Sequence, residues 1–210
     1  WVKIPPKVYF QRNSLKELRD IPNIDRAFIV TGPGMSKRGY VQRVIDELRL
    51  RQNETAFLVF DDVEEDPSTN TVEKGVAMMN DFKPDTIIAL GGGSPMDAAK
   101  AMWMFYEHPE TSWYGVMQKY LDIRKRAYQI KKPTKSQLIG IPTTSGTGSE
   151  VTPFAVITDS KTHVKYPLAD YALTPNIAIV DSQFVETVPP KTTAYTGLDV
   201  LCHATESYVS

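Results

Sequence analysis

The first residues with chemistry in their order are Leu90-Gly91-Gly92-Gly93-Ser94-Pro95-Met96-Asp97. Three glycines after a strand-like run let the backbone turn tightly and bring its amides against a ligand without Cβ clashes. Here Ser94 is expected to cap the next helix, Pro95 to take its first position, and Asp97 to complete a Ser-x-x-Asp capping pattern. The free N–H groups and partial positive charge at such a helix start hold phosphate or pyrophosphate. A ligand-free glycine turn is the alternative reading. The loop is not Gly-x-Gly-x-x-Gly and lacks a Gly-Lys-Ser/Thr ending, so kinase or ATPase chemistry has no support.

A second loop, Pro142-Thr143-Thr144-Ser145-Gly146-Thr147-Gly148-Ser149-Glu150, also follows an apolar run. Its hydroxyls and amides can donate to phosphate and ribose oxygens. Two such loops after strands of one sheet would meet at the carboxyl edge, where open α/β sheets bind ligands.

In Gly197-Leu198-Asp199-Val200-Leu201-Cys202-His203 a carboxylate and an imidazole stand at i and i+4 of a helical pattern. Both project from one face and can grip one ion. One oxygen and one nitrogen donor suit Zn²⁺ or Fe²⁺ better than Ca²⁺ or Mg²⁺. A plain Asp-His hydrogen bond is the competing reading. Cys202 points elsewhere around the helix and reads as packing. His108 and His163 read as surface residues.

These segments need elements to position them. Apolar runs at 27–31, 56–60, 86–90 and 138–141 read as strands, and they alternate with helical patterns, the rhythm of a parallel sheet covered by helices. Helical spacing appears at 40–50 and in Val72, Val76 and Met79, while Ser14-Leu15-Lys16-Glu17 has capping-box spacing. Residues 154–158 and 177–181 read as extended. Pro189-Pro190 opens a last helix running to Ser210, interrupted near Gly197. The acidic run at 61–66 reads as a solvated loop, and Arg124-Lys125-Arg126 with Lys131 and Lys132 as a wet face and turn.

Composition narrows the classes. The 210 residues carry 24 Lys+Arg against 25 Asp+Glu, a net charge of -1, which gives no basic face for nucleic acid or an anionic membrane. No apolar run approaches the ~20 residues of a membrane helix. The single Cys202 builds no internal disulfide framework and suits a reducing, cytoplasmic setting. The start at Trp1 and the end inside a helical pattern read as a fragment of a longer polypeptide.

In their order and spacing, Gly91-Gly92-Gly93-Ser94-Pro95-Met96-Asp97-Ala98-Ala99-Lys100, the 142–150 loop and Gly197-Leu198-Asp199 with His203 resemble the iron-containing (group III) alcohol dehydrogenases. Trp1-Val2-Lys3-Ile4-Pro5-Pro6-Lys7-Val8-Tyr9-Phe10, Tyr106-Glu107-His108-Pro109-Glu110, Leu121-Asp122-Ile123-Arg124-Lys125-Arg126 and Tyr166-Pro167-Leu168-Ala169-Asp170-Tyr171 resemble the alcohol dehydrogenase half of fused bacterial aldehyde-alcohol dehydrogenases.

The resemblance implies a Rossmann-like α/β nucleotide-binding domain at 1–188. The first segment of an all-helical metal-binding domain follows at 189–210, truncated, with NAD(H) and Fe²⁺ or Zn²⁺ between them. It implies that Gly91, Gly92, Gly93 and Ser94 hold pyrophosphate. Asp97, Thr143, Thr144, Thr147 and Thr152 would contact the cofactor, with Lys165 on the nicotinamide ribose. Asp199 and His203 would be two of four metal ligands and act in catalysis through the metal. It further implies a short alcohol or aldehyde such as ethanol or acetaldehyde as substrate, and a homo-oligomer or helical filament of the parent. A glycerol or polyol dehydrogenase, a dehydroquinate-synthase-type sugar-phosphate cyclase, or a non-catalytic nucleotide-binding or filament-forming scaffold are the rival readings.

One position departs from the pattern. Gly32 stands where members preferring NAD show an acidic residue, whose carboxylate accepts the ribose 2′-OH and repels a 2′-phosphate. Appreciable use of NADP(H) is therefore expected, with Gly32→Asp restoring discrimination.

Overall fold

The computed structural model describes residues 3–117 and 130–209. Its strands are β1 (Lys7–Phe10), β2 (Arg26–Thr31), β3 (Ala56–Phe60), β4 (Thr86–Gly91), β5 (Gln137–Pro142), β6 (Phe154–Thr158), β7 (Lys165–Ala169) and β8 (Ile177–Val180). Six of them form one sheet in the order β1-β8-β5-β4-β2-β3, with every pair parallel. The helices are α1 (Pro33–Lys37), α2 (Tyr40–Arg49), α3 (Thr69–Phe82), α4 (Gly93–Glu107), α5 (Trp113–Met117) and α6 (Pro190–Val209). This is the α/β architecture expected from the alternating pattern.

The central strands read as unbroken apolar runs because both sheet faces are covered. Alternate side chains of β2 and β4 enter opposite cores. Phe28, Val30, Ile87 and Ala89 pack with Val72 and Met79 of α3 and with Met96 and Met102 of α4. Ala27, Ile29, Ile88 and Leu90 pack with Val41, Val44, Ile45 and Leu48 of α2. The antiparallel pair β6 and β7 forms a separate hairpin beside α4.

Several local expectations are corrected. Ser14 does not cap an α-helix: Asn13 is the cap of a 3-10 segment Ser14–Arg19, and the Ser14 hydroxyl is buried with no hydrogen-bond partner among the described residues. β1 and β7 lie where no strand was expected; both are short, and Pro167 interrupts the β pattern of β7. α6 runs through Gly197 without a break, since one glycine costs a 20-residue helix only ~1 kcal/mol. Cys202 is exposed rather than packed. His108 is mostly enclosed, its side chain 12% exposed, because Nε2 pairs with the Lys131 carbonyl oxygen at 2.8 Å. His163 is exposed as expected.

The acidic run is the exposed loop expected, with Asp61, Asp62, Glu64, Glu65 and Asp66 all exposed. Glu64 accepts from the Ser68 amide at 2.9 Å and from the Thr71 hydroxyl at the start of α3, and Val63 is buried. Arg124, Lys125 and Arg126 lie outside the described residues, while Lys131 and Lys132 are exposed. Among the described residues, no helix is long and apolar enough to cross a membrane.

Candidate functional site

β2, β4 and β5 end side by side, so the turns that follow them converge. The Thr31 hydroxyl donates to the Leu90 carbonyl at 2.7 Å, and the Thr143 amide donates to the Gly91 carbonyl at 3.0 Å. The two donor-rich loops are thus neighbours at the carboxyl edge. Gly91 has φ +152, and a Cβ there would lie 2.6 Å from Pro95 Cγ. A Cβ on Gly92 would meet Thr144 Oγ1 at 3.3 Å, and one on Gly93 would meet Thr147 Cγ2 at 3.1 Å. These glycines let the loops close on each other, leaving a smooth backbone cradle at the start of α4.

The capping expectation at Ser94 fails. Gly92 is the cap, no side chain among the described residues caps the helix, and Ser94 occupies its second position. The first-turn amides therefore stay open to an anion. Asp97 is engaged elsewhere: Oδ1 accepts from the Ser149 hydroxyl at 2.8 Å and Oδ2 from the Val156 amide at 2.9 Å. Burial pushes the Asp97 carboxyl above the usual range, and Lys100 opposes this.

Gly93, Asp97, Thr147, Ser149 and Thr152 form one wall of a cleft of about 900 Å³, whose other wall is Asp199, His203 and Ser207 of α6. His203 Nε2 stands 3.7 Å from Asp199 Oδ1, with side chains 54% and 40% exposed. The helix delivers the predicted pair to one face, accessible from the cleft. An oxygen and an imidazole nitrogen fit a transition-metal dication. They supply two donors, and among the described residues no group of three or more His, Cys, Asp or Glu is gathered to hold an ion.

Lys165 does not line this cleft; its Nζ pairs with Asp66 Oδ1 at 2.7 Å. Thr143 and Thr144 line a second slot of about 130 Å³ together with Met35, Arg38, Tyr40, Phe184, Thr187 and Val188. Gly32 immediately precedes α1, and a Cβ on it would lie 2.9 Å from the Val63 carbonyl oxygen. An acidic side chain at this position therefore needs the 61–67 backbone to move, which removes Gly32→Asp as a clean test of cofactor choice.

Sequence reasoning missed Arg38 and Lys100, and named Ser149 only as one hydroxyl of its loop. Arg38 carried no motif; only its place shortly after the Gly32 turn pointed to it. Lys100 lay in sight at the end of the glycine motif but read as one more helix residue.

The parallel sheet, its glycine turn and the cleft at the carboxyl edge define a doubly wound α/β unit of the nucleotide-binding kind. Residues 5–182 match the family model for iron-containing alcohol dehydrogenase. The chain belongs to that family. It is 56% identical, over its full length, to aldehyde-alcohol dehydrogenase 2 of Entamoeba histolytica, of which it spans 24%. It is 46% identical over 99% of its length to the NADPH-dependent butanol dehydrogenase of Clostridium saccharobutylicum, spanning 51% of that protein. Among solved structures, sulfoacetaldehyde reductase from Bifidobacterium kashiwanohense in complex with NAD⁺ superposes with a TM-score of 0.77 at 30% identity, over 96% of this chain and 51% of that one. The chain thus spans about a quarter to a half of the length of these relatives.

Proposed function

We propose that this chain is the nucleotide-binding half of a metal-dependent alcohol dehydrogenase. It would move hydride reversibly between NAD(P)(H) and a short aldehyde or alcohol such as acetaldehyde or ethanol, as part of a bifunctional aldehyde-alcohol dehydrogenase. The observation that carries this reading is the shared cleft: the uncapped start of α4 on one wall, and Asp199 with His203 on the other. Family membership and the fused relative support it.

When bound, a divalent iron or zinc ion supplies Lewis acidity at the alcohol or carbonyl oxygen, and the nicotinamide supplies the hydride acceptor or donor. The Asp199 carboxylate and the His203 imidazole would hold such an ion. Amides of Gly91, Gly92, Gly93 and Ser94 would hold the pyrophosphate, while Asp97, Thr143, Thr144, Thr147 and Thr152 would orient the rest of the dinucleotide. Lys165 exchanges Asp66 for the ribose. The walls position the reactants and exclude water.

A division at 188/189 is supported by α6, which buries no residue and so awaits packing partners. Assembly of the parent as a homo-oligomer or filament, and a cytoplasmic setting, complete the reading.

A second cofactor reading is favoured by Gly32 and Arg38. No carboxylate stands at Gly32 to repel a 2′-phosphate, and the exposed Arg38 guanidinium lines the adjacent slot, so NADP(H) is accepted beside NAD(H).

The test uses the complete protein: calorimetric titration with NAD⁺ and NADP⁺, ethanol-dependent reduction of each, and metal analysis. Binding of both, with ethanol oxidation lost on chelation and restored by Fe²⁺ or Zn²⁺, is expected. Glycerol strongly preferred over ethanol would overturn the substrate class, and polymers that bind no dinucleotide would leave a scaffold.

A further inference from the structure

Lys100 is buried, with no exposure to solvent. A buried ammonium is retained only where it is well paired. Its Nζ donates to Ser149 Oγ at 2.9 Å, to the Thr152 carbonyl at 2.9 Å and to the Phe154 carbonyl at 2.7 Å, with Thr152 Oγ1 at 3.4 Å. One turn earlier on α4, Asp97 takes the Ser149 hydroxyl proton in a hydrogen bond and grips the Val156 amide. The two side chains therefore clasp the segment from Ser149 to Val156, part of the wall of the large cleft. Nothing in the hydride chemistry needs a lysine here.

We propose that Lys100 is a positioning residue for the dinucleotide: through Ser149 and the Thr152 and Phe154 carbonyls, its ammonium holds the cofactor-side wall in its binding shape. This rests on the nucleotide reading above. The requirement is for the charged form. An ammonium has three N–H donors for the three near acceptors, whereas a neutral amine has two and turns its lone pair toward the third. That leaves a buried oxygen unsatisfied and removes the attraction to Asp97. Burial pushes the Lys100 ammonium down to about 8, against the pull of the Asp97 and Glu150 carboxylates. Those two carboxylates, from α4 and from the 3-10 turn Ser149–Val151, are the charged groups acting on it. β4, β5 and β6 present none.

The complete protein is titrated calorimetrically with NAD⁺ from about pH 6.5 to 9.5, as wild type, Lys100→Met and Ser149→Ala, with a thermal melt of each. For the wild type, affinity is expected to be flat at neutral pH and to fall by about tenfold in all above the Lys100 titration, levelling off once the amine is neutral, the signature of one linked proton. Lys100→Met is expected to bind about tenfold more weakly at neutral pH and to lose the alkaline limb, and to melt at a lower temperature because three buried oxygens lose their donor. A folded Lys100→Met protein with wild-type affinity and an unchanged limb would overturn the proposal. Should that variant not fold, Ser149→Ala decides: weaker binding with a displaced limb supports the clasp, and wild-type behaviour overturns it. A wild type that binds no dinucleotide overturns the nucleotide reading itself.

Discussion

The Val63 carbonyl oxygen stands 2.9 Å from the point where a side chain on Gly32 would begin. Real Cβ atoms do not approach an oxygen so closely, so the turn after β2 is glycine because the loop after β3 leans against it. The same contact shapes the place where a dinucleotide's adenosine ribose is expected.

Gly32→Asp is expected to destabilise the protein by about 1–3 kcal/mol, the cost of forcing extra atoms into a packed site, as read by chemical denaturation. Arg38→Ala avoids that clash. It is expected to weaken NADP⁺ binding by about tenfold, the loss of one charge-assisted contact, while NAD⁺ binding changes little. Equal losses for both cofactors would place Arg38 on a part of the nucleotide they share.

Asp199→Ala and His203→Ala in the complete protein are each expected to lower metal content and alcohol oxidation together. Both side chains are substantially exposed, so circular dichroism should be unchanged. Full activity with stoichiometric metal in either variant removes that residue from the ligand set.

Gly146 ties the second loop to α6. A Cβ there would lie 2.7 Å from Thr196 Cβ and 2.9 Å from its carbonyl oxygen. Gly146→Ala is expected to push the helix away from the loop, weakening dinucleotide and metal binding in one variant. Calorimetry and metal analysis read both, and a loss confined to one ligand would mean that the two walls are not coupled through this contact.

The Lys100 ammonium titrates lower in the folded protein, at about 8 against an ordinary 10.5. Between those values the unfolded chain binds more protons, so this group makes stability rise with pH through that window; below it, the full cost of the buried charge is felt. Denaturation across about pH 7.5 to 10 should show a rising contribution that Lys100→Met abolishes. Cofactor affinity is expected to move in the opposite direction over the same range.

The strands at the centre of the sheet were legible because burial on both faces leaves continuous apolar runs of β-branched and aromatic residues such as Phe28-Ile29-Val30 and Ile87-Ile88. β1 and β7 were not, since a short edge strand and a hairpin arm carry exposed residues and little period. The helix pair Asp199 and His203 was readable from spacing alone, because four residues make about one turn. What faces that pair was not readable: it depends on where α6 crosses the second loop.

The sequence by itself determined the glycine turn, the hydroxyl-rich loop, the i, i+4 pair and the alternating α/β order, all of them short-range properties of composition and spacing. Tertiary structure alone decided that Asp97 and Lys100 reach across to Ser149, that Val63 fills the space beside Gly32, and that Arg38 shares a slot with Thr143 and Thr144. Those contacts join residues roughly 30 to more than 100 positions apart, and no local propensity encodes a distance that only the packing of the sheet and its helices creates.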